Sequence, residues 1–163
     1  MRCFEKQSDH SFMPEIVEAA KRVNEAELKW ATVAKYSPIA MCIVSNEGYF
    51  LDVNPAACIL FEQEYADLVG TKWQDYTHPN DLVEDEHNIA ETIKDADIHY
   101  YQMLKRYCMP DGREKKCLLK VATVSDNDDV FCYFISLIVD LDQMRTFLEM
   151  AKKVFNTRDE CAS

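Results

Sequence analysis

Apolar residues recur at Phe12, Ile16, Ala19, Val23, Ala26, Trp30 and Val33, in alternating steps of four and three. That is the a/d spacing of a coiled-coil seam, and it predicts an amphipathic helix over residues 14–35 with Pro14 in the first turn. No glycine interrupts it, and Pro38 disfavours a helical residue before it, so the helix ends near "KYSPIA". The stripe either pairs two subunits or docks on its own domain.

The period then shortens. "IAMCIVSNEGYFLDVN" predicts two short strands around a turn at Asn46-Glu47-Gly48. Asn54-Pro55 is an N-cap followed by a first-turn proline, and "EQEYADLVG" is a short helical turn stopped by Gly70. In "DYTHPNDLVEDEHNIAETI", Asp81 and Glu84 have capping-box spacing for a helix running to about Asp97. At about 100° per residue, Leu82, Ile89 and Ile93 share an inward stripe, while His87 and the carboxylates take the wet side.

Three longer strands follow. "IHYYQMLKRYCM" turns at Pro110-Asp111-Gly112 into "REKKCLLKVATV", and "SDNDD" turns into "VFCYFISLIVD". The last strand is apolar on both faces, Phe131/Tyr133/Ile135/Leu137 and Cys132/Phe134/Ile138, which suits a central strand covered on both sides. From Leu141 to Phe155 a final amphipathic helix carries Met144, Phe147/Leu148, Ala151 and Val154/Phe155 on one stripe. A hairpin, a helical crossover and a three-strand meander make an α+β domain, one antiparallel sheet with helices on one face.

Bulk properties narrow the class. A chain of 163 residues with 48% hydrophobic and 11% aromatic content fits one folded domain with terminal appendages. The longest apolar stretch, "VFCYFISLIV", is too short to span a bilayer, and "MRCFEKQSDHS" has no signal-peptide core. Seven cysteines without a CxxC pair read as buried small hydrophobes in a reducing compartment, so the expected location is cytoplasmic. A net charge of -11 disfavours nucleic acid and membrane as partners. The charge is uneven, with eleven acids against two lysines over residues 62–97 and six bases against two acids over residues 105–120. A solvated acidic helix beside a basic strand face explains this, and head-to-tail contact or a basic partner is the alternative.

Catalytic patterns are absent from the sequence. It holds no phosphate-cradling glycine loop, no G-x-S-x-G elbow and no H-E-x-x-H pair, so no catalytic residue is assigned and the chain is not expected to be an enzyme. An apolar pocket on the inner sheet face is the better site. Its candidate lining is Phe61, Trp73, Tyr76, Ile89 and Ile93 from the helical half. Tyr101, Met103, Leu119, Tyr133 and Ile135 come from the strands. The plain alternative is that these residues only fill the core.

The stretch from Tyr36 to Met144 resembles a PAS domain, the sensory and dimerisation module. "VNPAA", the "EQEYADLVG" segment with its tyrosine and closing glycine, the "HPND" corner and the "DG" hairpin occur in the family's order. The family's closing Asp-Ile-Thr is here Asp140-Leu141-Asp142. The resemblance implies a five-stranded antiparallel sheet of order 2-1-5-4-3, with "VFCYFISLIV" central. It divides the chain into an amphipathic dimerisation helix (1–35), a PAS domain (36–142) and a signalling helix with tail (143–163). It also implies a homodimer and a regulatory protein partner such as a histidine kinase or transcription regulator, with a small apolar or aromatic ligand in the core or none. The cofactor is unknown. Flavin is not favoured, because Trp73 in "GTKWQDY" occupies the position of the light-sensing branch's cysteine. Haem through His87 is a lesser alternative, because helical geometry turns that residue outward. No metal site is assigned.

Overall fold

The structure, a computed structural model, describes residues 12–94, 99–128 and 130–160. The side chains of Phe12, Ile16 and Ala19, and of Val154 and Phe155, lie outside the described residues. The chain divides at Tyr36/Ser37 into two units. The first unit holds α1 (Phe12–Tyr36), whose seam residues Val23, Ala26, Trp30 and Val33 are exposed.

The second unit is an α+β domain. Its elements are β1 (Ala40–Val44), β2 (Phe50–Val53), α2 (Pro55–Phe61), α3 (Tyr65–Leu68), a 3₁₀ turn (Trp73–Tyr76) and α4 (Pro79–Lys94). Then come β3 (Tyr100–Cys108), β4 (Glu114–Ser125), β5 (Phe131–Asp140) and α5 (Leu141–Glu160). The strands form one antiparallel sheet in the order β2-β1-β5-β4-β3, as expected, with β5 central.

Local chemistry fixes the crossover. Asn54 caps α2: its Oδ1 accepts the Ala57 amide and also the Met41 amide of β1, both at 2.9 Å, while its Nδ2 donates to the Ile39 carbonyl. One side chain therefore both starts the helix and ties it to the sheet. Gly48 has φ +89°, and a Cβ there would stand 2.9 Å from Gln74 Oε1 and 3.0 Å from the Trp73 indole nitrogen. The β1–β2 turn thus needs glycine twice, for its own dihedral and for the close seat of Trp73.

The entry to α4 differs from the expected capping box. Pro79 opens the helix, and the His78 ring takes the cap, its Nδ1 accepting the Asn80 amide at 3.1 Å. Asp81 sits inside the first turn and instead grips β3, accepting from the Arg106 backbone amide, Nε and Nη2 at 2.8, 3.1 and 2.5 Å.

Alternation sorts β5 by face. Phe134, Ser136 and Ile138 are buried on the inner face, whereas Tyr133, Ile135, Leu137 and Val139 are half-buried on the outer one. The pocket assignment of Tyr133 and Ile135 is therefore corrected. The two faces of β5 are similarly apolar, so periodicity could not say which faced the helices.

Candidate functional site

Helices α2 to α4 cover the inner sheet face, and the layer between them has two unlike ends. Around Phe61 it is aromatic. Phe61 is fully buried with its ring 5.7 Å from Phe50, 5.2 Å from Tyr76 and 5.2 Å edge-on from Tyr107. Beneath α4 it is polar.

The polar end is built by two periodicities meeting. On β3, Tyr101, Met103, Lys105 and Tyr107 alternate inward. Lys105 therefore points into the core, with its side chain 2% exposed. On α4, Asp85 and Thr92 are buried and Leu82, Asn88 and Ile89 partly so, while Ile93 is 45% exposed. The expected Leu82/Ile89/Ile93 stripe is thus rotated: Asp85 takes the inward place and Ile93 leaves it. The rotation puts Asp85 directly over Lys105, because a buried ammonium requires a carboxylate partner.

Asp85 Oδ2 accepts from Lys105 Nζ at 2.5 Å, and Oδ1 accepts from the Tyr101 hydroxyl at 2.5 Å. The ammonium also lies 4.3 Å from the Trp73 ring centroid and 4.9 Å from that of Tyr107, within cation–π range. Burial pushes the Lys105 ammonium below its ordinary value, and the adjacent Asp85 carboxylate pulls it back up. Burial and the same carboxylate push the Tyr101 phenol upward, so Tyr101 stays a neutral donor.

A cavity of about 30 Å³ adjoins this group. Asp85, Lys105, Tyr101 and Ser136 give it polar wall, and Trp73, Ile89 and Leu119 belong to its apolar wall. Thus four of the ten expected lining residues (Trp73, Ile89, Tyr101 and Leu119) meet at one cavity. Phe61, Tyr76 and Met103 pack in the adjoining core, and Ile93, Tyr133 and Ile135 lie elsewhere.

Hydrophobic periodicity missed Asp85, Lys105, Ser136 and Tyr107, since three are polar. The usable signal was combined: a lysine on the same strand face as Tyr101, Met103 and Tyr107, and an acid three residues after Leu82 and four before Ile89.

Neither His78 nor His87 joins the group. His87 is exposed and does not line the cavity, and His78 Nε2 lies 3.4 Å from Glu114 at the corner. Among the described residues, no three His, Cys, Asp or Glu side chains gather as metal ligands, and no helix is long and apolar enough to cross a membrane.

The site is thus a small cavity between one antiparallel sheet and one helical layer, with Asp85, Lys105 and Tyr101 in its wall. The PAS fold profile matches residues 8–140, most of the chain, and the chain belongs to the PAS family. It is 32% identical over 125 residues to the probable diguanylate cyclase DgcE of Escherichia coli K12. That match covers 77% of this chain but 11% of the relative, so the likeness reaches one module of a longer protein. Among solved structures, the PAS domain of a protein from Colwellia psychrerythraea superposes with a TM-score of 0.64 at 12% identity, covering 71% of this chain and 96% of that one. The LOV protein of Rhodobacter sphaeroides superposes at 0.62 with 16% identity, covering 72% and 68%. These superpositions establish the fold, and the chain is a PAS module of the kind found in signalling proteins.

Proposed function

We propose that this PAS module senses a small molecule in its core and relays the result as a homodimer. The observation that carries the reading is the position of the cavity against β5. Ser136 and Ile138 line the cavity, and β5 passes into α5 at Asp140/Leu141 without a loop. Asp140 stiffens that junction, its Oδ1 accepting the Asp142 amide at 2.8 Å and the Gln143 amide at 3.3 Å. A shift of the inner face of β5 on ligand binding is therefore delivered to the base of α5, whose Met144, Phe147 and Leu148 are exposed for a partner.

The expectation of an aromatic ligand meets a size limit, since the cavity measures only about 30 Å³, against roughly 300–1,000 Å³ for pockets that hold drug-sized ligands. In the proposed dimer, α1 pairs with its copy along Val23, Ala26, Trp30 and Val33. A second reading, a ligand-free interaction module, rests on the outer sheet face, where Leu51 is 50% and Leu104 69% exposed.

Native mass spectrometry of the gently purified chain tests the proposal. The expected result is a dimer that carries a small molecule or takes one up, with Ala26→Glu/Trp30→Glu shifting it to monomer. An unchanged dimer in that variant refutes the α1 seam. A dimer that never carries or takes up a ligand favours the interaction module.

A further inference from the structure

We infer that the free edge of β3 is a docking site for an extended segment of another protein, one that alternates apolar with basic side chains and lengthens the sheet by a strand. This surface is apart from the core cavity and acts whether or not that cavity takes a ligand.

The first observation is open backbone. The sheet ends in β2 on one side and β3 on the other. The β2 edge is short and filled: it has four residues, its register against β1 shifts, and Phe50 donates its N–H to the Thr71 carbonyl and accepts the Gly70 amide. β3 has nine residues in unbroken register with β4, without proline or bulge. Backbone groups alternate in direction along an antiparallel strand. The His99 carbonyl accepts the Thr123 amide from the β4 side, whereas Arg106 turns the other way, donating its amide to Asp81 Oδ2 and accepting the His78 amide. Odd residues therefore bond β4 and even residues face the edge. At Arg106 that edge is filled. At Gln102 and Leu104, both exposed, the N–H and C=O take no partner among the described residues. An inward-pointing charge can guard an edge, but Lys105 is held inside by Asp85.

The second is the apolar side of the edge. Tyr100 is 54% and Leu104 69% exposed on the outer sheet face. A strand added about 4.8 Å away sets its outer side chains against these two, so apolar residues belong there.

The third is charge on the other side. On α4, Asp81, Asp85 and Asn88 bond β3 residues, while Leu82 and Ile89 pack toward the core. At about 100° per residue, Glu84 and Glu91 fall on the opposite flank, the one nearest the edge. Both are exposed, and the 2.8 Å pair that Glu91 makes with Lys94 is a surface pair, weak enough to be displaced. The inner side chains of an added strand thus run beside carboxylates, which suits lysine or arginine. A second copy of β3 fits poorly, because its own α4 would set these glutamates against their counterparts.

The test is a ¹H–¹⁵N NMR titration of the full chain with a synthetic peptide of alternating valine and lysine. Two twins accompany it, one with glutamate for lysine and one with its pairing amides N-methylated. The lysine peptide is expected to shift the Gln102 and Leu104 amides saturably and slow their hydrogen exchange, while neither twin does. Glu84→Lys/Glu91→Lys, at two exposed positions, should keep the parent spectrum elsewhere and weaken the lysine peptide about tenfold at low salt. No shift at the two amides overturns the inference. Equal binding of the glutamate twin, or unchanged affinity in the double variant, removes the basic class of partner. Equal binding of the N-methylated twin shows side-chain contact in place of strand pairing and also overturns it. Exchange protection of Gln102 and Leu104 that rises with the concentration of the chain alone would assign the edge to a second copy instead.

Discussion

The two ends of the inner layer are held by different physics. At the aromatic end, Phe50, Phe61 and Tyr76 stack through contact area, with Tyr107 against Phe61. At the polar end, Asp85, Lys105 and Tyr101 are held by directional bonds beside a cavity. Tyr107 touches both, edge-on to Phe61 and face-on to Lys105. Contact area stabilises in proportion to what is buried, so the aromatic end is where the fold gains its free energy. A buried ion pair recovers little more than its own desolvation, so the polar end contributes little net stability. A layer that stabilises the fold at one end and spends a cavity and two charges at the other points to function at the second.

The largest effect that tests this contrast is Phe61→Ala. Truncating a fully buried ring that meets three others should cost about 3–5 kcal/mol, read as a lowered urea midpoint with unchanged slope. A cost below about 1 kcal/mol would show that the aromatic end collapses around the void and is not the rigid half.

The polar end should answer differently to one change and to two. Lys105→Met alone leaves Asp85 buried without its cation and should cost about 3 kcal/mol. Adding Asp85→Leu removes the stranded charge, and the double variant should return to within about 1 kcal/mol of the parent, or exceed it. If the double variant were as unstable as the single one, the pair would be structural and the contrast between the two ends would fail.

The aromatic end was largely legible from the sequence and the polar end was not, for a physical reason. Asn54, Pro55, Gly70 and the Pro110-Asp111-Gly112 turn act locally, so their backbone consequences can be read in place. The sheet order followed once the resemblance was joined to the doubly apolar β5. Periodicity assigns charged residues to the surface, and Asp85 and Lys105 are inside only because each is the other's partner, twenty residues apart. Pairing of that kind is tertiary information. The same rule misrotated α4, sending Ile93 inward and Asp85 outward. It could not distinguish the faces of β5 either, because Tyr133 and Ile135 are as apolar as Phe134 and Ile138.

The smallest effect compares the two bridges between α4 and β3. Asp85–Lys105 lies inside, while Asp81–Arg106 lies at the rim, with the Arg106 side chain 34% exposed. The Arg106 hydrogen bonds hold the Asp81 carboxyl below its ordinary 3.8, with burial opposing. A depressed folded value means that the stabilisation is complete above pH 3.8 and is lost as pH falls through the lowered value. Asp81→Asn should therefore lower Tm by about 2–4 °C at pH 7, with the gap from the parent closing below about pH 4. In 1 M salt the gap should also narrow, because a partly exposed pair is screened, whereas the cost of Lys105→Met should not change. A gap that survives both acid and salt would mean that the carboxylate's charge is not its source. The acceptor geometry toward the Arg106 backbone amide would then be the cause, and the rim bridge would be a strand–helix clamp rather than an ion pair.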